Sequence, residues 1–232
     1  MVGIVTPVPY LVAVVLVLAA GVALCAHARH NPGRWTILSA RLIALVLFAD
    51  AGSFIVAKIV AGSFSPKTDL PFALCDIAVL FAAAACWWRQ SLLVELTYFW
   101  GLAGTLQAVI TPDLNAGFPH LVFFQYLVGH LGIVVAACYL VVGLQIVPRP
   151  GSVIRTFAIT LAYTAFVGLV DALSGANYMF LRRPPGNWTL LRLLGPWPWY
   201  IASAAAVALV LLGTLDLPFL IARHRDDWPS PP

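Results

Sequence analysis

Leu70-Pro71-Phe72-Ala73-Leu74-Cys75-Asp76 sets a thiol and a carboxylate side by side where an apolar run begins. From Phe72 to Trp88 Asp76 is the only charged residue. Pro71 suits the first turn of a helix, because the N–H it lacks would have no intrahelical partner there. The stretch therefore predicts a helix closing at Trp87, Trp88 and Arg89, an interfacial aromatic and basic anchor. An acid carried into a membrane helix is costly and normally faces a polar interior. Cys75 beside it reads either as a small buried hydrophobe or, given a base at the same depth, as a nucleophile.

Composition fixes the class. Of 232 residues 62% are hydrophobic and 9% charged, and the mean hydropathy is +0.94. Soluble domains carry about a quarter charged residues, so the chain reads as an integral membrane protein. No polar stretch is long enough for a separate soluble domain. The net charge of +4 comes mostly from arginines at helix ends and gives no reason to expect nucleic acid as a partner. The four cysteines, Cys25, Cys75, Cys86 and Cys138, all fall in apolar segments, and no C-x-x-C spacing occurs. Neither a disulfide framework nor a metal is expected, and no other cofactor.

Working outward, two apolar runs precede the Leu70 segment: Pro9 to Ala26, and Ile37 to Val60 with Asp50 near its middle and Lys58 near its end. Ala26-His27-Ala28 imitates a signal-peptidase site, but no positive charge precedes the run and arginines follow it. A retained helix is expected. Ser63 to Asp69 is a loop. After the central helix, a fourth is predicted over Leu92 to Thr111, rich in small and polar residues. Trp100, Gly104, Gln107 and Thr111 fall at helical spacing on one face. The fifth, about His120 to Ile146, carries Gln125, Tyr126 and His130; the last two are four apart and share a face. His130 would sit about 15 Å beyond His120 at helical rise, either as an interhelical hydrogen-bonder or as an acid/base.

The sixth helix covers about Val153 to Leu173 and carries Asp171. Gly175 to Leu194 is the longest polar connection, with Asn177, Tyr178, Arg182 and Arg183. It is long enough to cap a cavity, and the arginine pair reads either as a phosphate holder or as a solvated headgroup anchor. The seventh helix opens with Gly195-Pro196-Trp197-Pro198-Trp199-Tyr200 and ends near Ile221. The expectation is an all-α polytopic membrane protein, with seven transmembrane helices in a single bundle over residues 1–222 and a polar tail over 223–232.

Charge bias orients the bundle. With the N-terminus outside, Arg29, Arg34, Arg41, Arg89, Arg149, Arg155, Arg223 and Arg225 lie inside, against Lys58, Lys67, Arg182, Arg183 and Arg192 outside. This favours an outer N-terminus and a cytoplasmic C-terminus. Cys75, Asp76, Thr111, Asp113, His120, Gln125, His130, Asn177 and Arg182 then share the outer half, so that nearly all the polar groups fall at one end.

Several blocks, in order, resemble the transmembrane protein 164 family together with its bacterial YwaF-type members. They are LPFALCD (Leu70 to Asp76), ELTYFWGLAGTLQAVITPDL (Glu95 to Leu114), FPHLVFFQYLVGH (Phe118 to His130), GANYMFL (Gly175 to Leu181) and LGPWPWYI (Leu194 to Ile201). Ala73 departs from the pattern, standing where the family often has a polar residue. The resemblance implies an acyltransferase-like protein in which a cysteine and a histidine, matched by Cys75 and His130, move a fatty acyl group between phospholipid and lysophospholipid through a thioester. Asp76, Gln107, Gln125, Tyr126, Asn177, Tyr178 and Arg182 are then expected to face the substrate, with Asn177, Tyr178 or Gln125 as oxyanion donors. Asp76 would either orient His130 or bond to the fourth helix. Two other readings stand beside this one: a small-solute transporter lined by Asp50, Asp76 and Asp171, and a lipid-binding protein without catalysis.

Overall fold

A computed structural model describes residues 7–112, 114, 117–184 and 190–224. Among them the regular structure is entirely helical. Helices α1 (Pro7–His30) and α2 (Arg34–Val60) are followed by α3 (Leu74–Trp88) and α4 (Ser91–Phe99). A π-helical turn, Trp100–Thr105, continues α4 into the short α5 (Leu106–Ile110). Then come α6 (Leu121–Cys138), ending in a second π turn at Tyr139–Gly143, α7 (Ser152–Ser174) and α8 (Trp199–His224).

Among the described residues six helical segments are long and apolar enough to cross a membrane: Val8–His30, Arg34–Val60, Ser91–Ile110, Leu121–Gly143, Ser152–Ser174 and Trp199–Arg223. The expected third span is different. With 15 residues, α3 reaches about 22 Å at helical rise, short of a hydrocarbon core of about 30 Å. It compensates by position. Ala78, Ala82, Ala83, Ala85 and Cys86 are fully buried, so α3 is an inner helix solvated by protein. Small side chains let neighbours approach closely, which is how helices associate in lipid without a hydrophobic drive. Ser91–Ile110 and Leu121–Gly143 are also inner segments, 56% and 61% buried, whereas the other four spans are 11–17% buried and present apolar side chains outward. Gly132 on α6 serves the same packing: a β-carbon there would lie 2.6 Å from Leu47 Cδ2 of α2.

Two sequence expectations change here. Pro71 is not in the first helical turn; α3 begins at Leu74, with Ala73 extended before it (φ −66°, ψ 148°). The segment ahead is held by other bonds. The Leu70 N–H donates to the Tyr178 hydroxyl (3.1 Å), that hydroxyl donates to the Pro66 carbonyl (2.8 Å), and the Tyr163 hydroxyl donates to the Phe72 carbonyl (3.1 Å). The shared face of Trp100, Gly104, Gln107 and Thr111 is also lost. The π turn adds a residue to that stretch of the helix and rotates the residues beyond it, so Trp100 is buried while Gln107 and Thr111 are exposed.

Polar groups do not all gather at one end. At the far end from Cys75, Glu95 is fully buried and accepts from Arg149 Nε (2.8 Å), the Arg149 backbone N–H (3.1 Å) and Arg155 Nε (2.9 Å). Arg223 of α8 donates to the Pro148 carbonyl and pairs with Asp216 at 3.7 Å. Helix α8 thus runs through Arg223 to His224, and residues 225–232 lie outside the described part of the chain.

Candidate active site

The cavity at the start of α3 holds about 420 Å³ and is walled by α2, α3 and α6. Cys75 and His130 both line it, with Asp50, Asp76, Gln125 and Tyr126. Phe48, Phe54, Leu80, Val122 and Ile133 give it apolar walls. Phe48 and Phe54 of α2 and Val122 of α6 are also exposed, so the cavity is open between α2 and α6.

The start of α3 gives Cys75 its surroundings. Counting from Ala73, Cys75 is the second helical residue, and the first intrahelical bond to the extended residue is Ile77 N–H to Ala73 O (3.2 Å). The N–H groups of Leu74, Cys75 and Asp76 therefore lie in the first turn, where backbone donors have no intrahelical acceptor. Asp76, third in the helix, turns its carboxylate back toward the Ala73 N–H, half of a capping box. Asp76 thereby contacts the segment ahead of α3, whereas the sequence reading offers it His130 or the fourth helix. Among the described residues it makes no hydrogen bond to His130.

The Cys75 thiol has a polar neighbour that sequence reading missed. Thr105, buried in the π turn, interacts with it. Gly104 brings that turn against α3: a β-carbon there would touch Leu74 Cδ2 at 3.6 Å. Ala73 supplies no polar group; Thr105 does, from another helix. A threonine following glycines in a membrane helix was the available signal, but only the π turn reveals its direction.

The geometry of His130 fixes its tautomer. Its Nδ1 lies 2.9 Å from the Tyr126 carbonyl oxygen one turn earlier. A carbonyl only accepts, so Nδ1 carries the proton and the neutral ring keeps its lone pair on Nε2. The Tyr126 ring stacks on the imidazole, centroids 4.1 Å apart, and its hydroxyl donates to the Ala108 carbonyl (2.6 Å). The His130 ring is thus oriented by its own helix. Cys75 and His130 face one cavity without a direct hydrogen bond between them among the described residues.

Other polar groups at the rim are engaged. Gln125 Nε2 donates to Ser53 Oγ (2.8 Å), which donates to the Asp50 carbonyl (2.8 Å). Gly129 leaves room for Asp50; a β-carbon there would lie 3.1 Å from Asp50 Oδ2. Asp69 accepts from the Ser65 N–H (2.8 Å) and pairs with Lys58 (3.2 Å). Burial pushes the Asp69 carboxyl up, but that N–H and the ammonium outweigh it and hold the group below its ordinary value.

Four expected substrate contacts fall outside this cavity. Gln107 is exposed beyond the π turn, with its carbonyl accepting from Thr111. The Tyr178 hydroxyl is committed to Pro66 and Leu70, and positions the approach to α3. Asn177 and Arg182 line a separate pocket of about 200 Å³ with Gly175, Ala176 and Arg183. Asp171, expected along a transport path, is fully buried and accepts from the Tyr178 N–H (2.9 Å). Asp113 lies outside the described residues.

Among known proteins, the model of the TMEM164 family matches residues 3–216. An uncharacterized protein of Treponema pallidum (strain Nichols) is 27% identical over 191 residues, covering 80% of this chain and 76% of that protein. No solved structure matches.

Proposed function

The chain belongs to the TMEM164 family, and from its site we propose that this multi-pass membrane protein is a phospholipid acyltransferase working through a Cys75 thioester. One observation carries the reading: Cys75 and His130, whose Nδ1 is held by the Tyr126 carbonyl and whose Nε2 therefore keeps the lone pair, line the same apolar-walled cavity. His130 Nε2 takes the thiol proton, and the thiolate attacks the carbonyl carbon of a phospholipid ester. The carbon–oxygen bond to glycerol breaks, and His130 returns the proton to the departing alkoxide. A lysophospholipid hydroxyl, deprotonated by His130, then attacks the thioester and regenerates the thiol. The carbonyl oxygen gains charge in each step; the first-turn N–H groups of α3, which have no intrahelical acceptor, would receive it, with the second N–H of the Gln125 amide as a side-chain donor beside its bond to Ser53.

A transport path is the weaker reading, because Asp171 is sealed against Tyr178 instead of lining the cavity with Asp50 and Asp76. The test of the proposal is intact-protein mass after incubation with acyl-labelled phospholipid. The wild type should gain one acyl mass that hydroxylamine removes, and Cys75→Ser should gain no hydroxylamine-sensitive adduct. An adduct on Cys86 or Cys138, or none at all, would refute it.

The placement proposed is the cell membrane, with α3 as a seventh passage, the N-terminus outside and the C-terminus cytoplasmic. Supporting this, Arg149, Arg155 and Arg223 gather at the far end while Lys58 and Lys67 lie near the cavity end, as the positive-inside rule requires. A reporter fused after Pro232 is expected to read cytoplasmic. An external signal would reverse the orientation and put the cavity in the inner half.

A further inference from the structure

Beyond the thiol chemistry, we infer that Lys67, Arg182 and Arg183 form a phosphate-binding pocket at the cavity end of the bundle, distinct from the Cys75 cavity. The pocket is built where α7 stops. Gly175 takes the left-handed conformation (φ 75°, ψ 11°) and its N–H closes the helix on Asp171 O (3.0 Å). Lacking a side chain, it leaves open a point that lies 3.9 Å from both Arg182 NH1 and Lys67 Nζ. Two cations from distant parts of the sequence thus approach Gly175, which lines the pocket together with Arg182 and Arg183.

The arrangement is held in place. Asn177 Oδ1 accepts from the backbone N–H groups of Arg182 (3.0 Å) and Arg183 (3.1 Å), and its Nδ2 donates to the Arg183 carbonyl (3.1 Å). Arg182 NH1 makes long contacts with the Asp171 and Ala176 carbonyls (3.4 and 3.3 Å), which fix the guanidinium while leaving most of its five donors available. Among the described residues no carboxylate pairs with these three cations; the ion pairs involve Asp69, Glu95 and Asp216. Like charges this close repel unless an anion lies between them. Donors converging from a loop lysine and two successive arginines suit a tetrahedral oxyanion better than a planar carboxylate. At about 200 Å³ the space is large enough for a phosphate group. The same Tyr178 that follows this loop's first residues bonds Pro66 and Leu70, so the pocket adjoins the segment that delivers Cys75.

The test uses the full chain in nonionic detergent, titrated with dihexanoyl phosphatidic acid. Lys67→Gln and Arg183→Gln are each expected to weaken binding about three- to tenfold, the loss of one partly exposed charge-assisted bond, and the double variant about tenfold or more. Neither side chain has a bonding partner among the described residues, so folding is spared, as an unchanged circular dichroism spectrum should show; Arg182 is left intact because it closes the end of α7. Competition by inorganic phosphate would mean that the group alone suffices. Binding of the lipid without such competition would identify a lipid headgroup as the source. Both keep the site. Dihexanoylglycerol, lacking phosphate, should not compete, and Cys75→Ser should bind like the wild type, so failure of the acyl-transfer reading leaves this result standing. The inference is overturned if the wild type does not bind, if the double variant binds as the wild type does, or if Arg89→Gln at the opposite end weakens binding as much.

Discussion

Cys75→Ala is expected to reduce acyl transfer to background, a fall on the order of 1,000-fold or more, as when a nucleophile is removed from a catalytic unit. The stability cost should be small. One half-buried sulfur is lost beside a cavity that already exists, so the change is about 1 kcal/mol or less. The comparison that decides is phospholipid remodelling in membranes holding equal amounts of folded wild type, Cys75→Ala and Cys86→Ala. Cys86 is fully buried in the same helix, about 16 Å further along at helical rise, and does not line the cavity. It controls for loss of a thiol in α3. Equal activity in wild type and Cys75→Ala would end the nucleophile assignment. His130→Ala should be equally inactive and should also lose the stacking on Tyr126, so its stability is to be measured beside its rate.

Hydropathy made the helical class and the approximate extents of the long helices legible, because a membrane span must satisfy its backbone internally and advertises itself by length. The sequence also led to the expectation that the start of α3 and the early turns of α6 lie on the same side, and Cys75 and His130 line one cavity. Departures from a regular 3.6-residue repeat stayed hidden. The π turn at Trp100–Thr105 carries Thr105 to the thiol and turns Gln107 away, and nothing in residue type distinguishes it from an α-helix. The three-residue delay in the start of α3 was hidden for a related reason. Pro71 is compatible with a first helical turn, but Tyr178 and Tyr163, more than ninety residues away in sequence, hold Leu70 and Phe72 outside the helix. Short-range pattern has no access to such bonds. Asn177 was read as a ligand group because a polar side chain near an active end looks available; its three bonds to Arg182 and Arg183 show it building a loop.

The second large effect is expected at the other end of the molecule. Glu95→Gln should destabilise the folded bundle by about 3 kcal/mol, the low end for breaking a buried ion pair by removing one partner. Glu95 is fully enclosed, whereas Arg149 and Arg155 remain 40% and 36% exposed and can turn toward water or lipid phosphate, which keeps the cost from rising further. The carboxylate accepts from Nε and NH2 of both arginines and from the Arg149 backbone N–H. It therefore ties the loop before α7 and the first turn of α7 to the inner helix α4. Glutamine keeps one acceptor oxygen but adds two donors facing two cations. Arg149→Gln and Arg155→Gln should each cost less, about 1 kcal/mol, because the remaining arginine still neutralises the carboxylate. Unfolding in detergent, followed by loss of helical signal, measures all three. If Glu95→Gln costs no more than either arginine variant, the cluster does not hold this end of the bundle together; if it costs the expected margin, the Glu95 carboxylate closes that end by tying α7 and the loop before it to α4. Glu95→Gln protein that remains folded should then still form the Cys75 adduct.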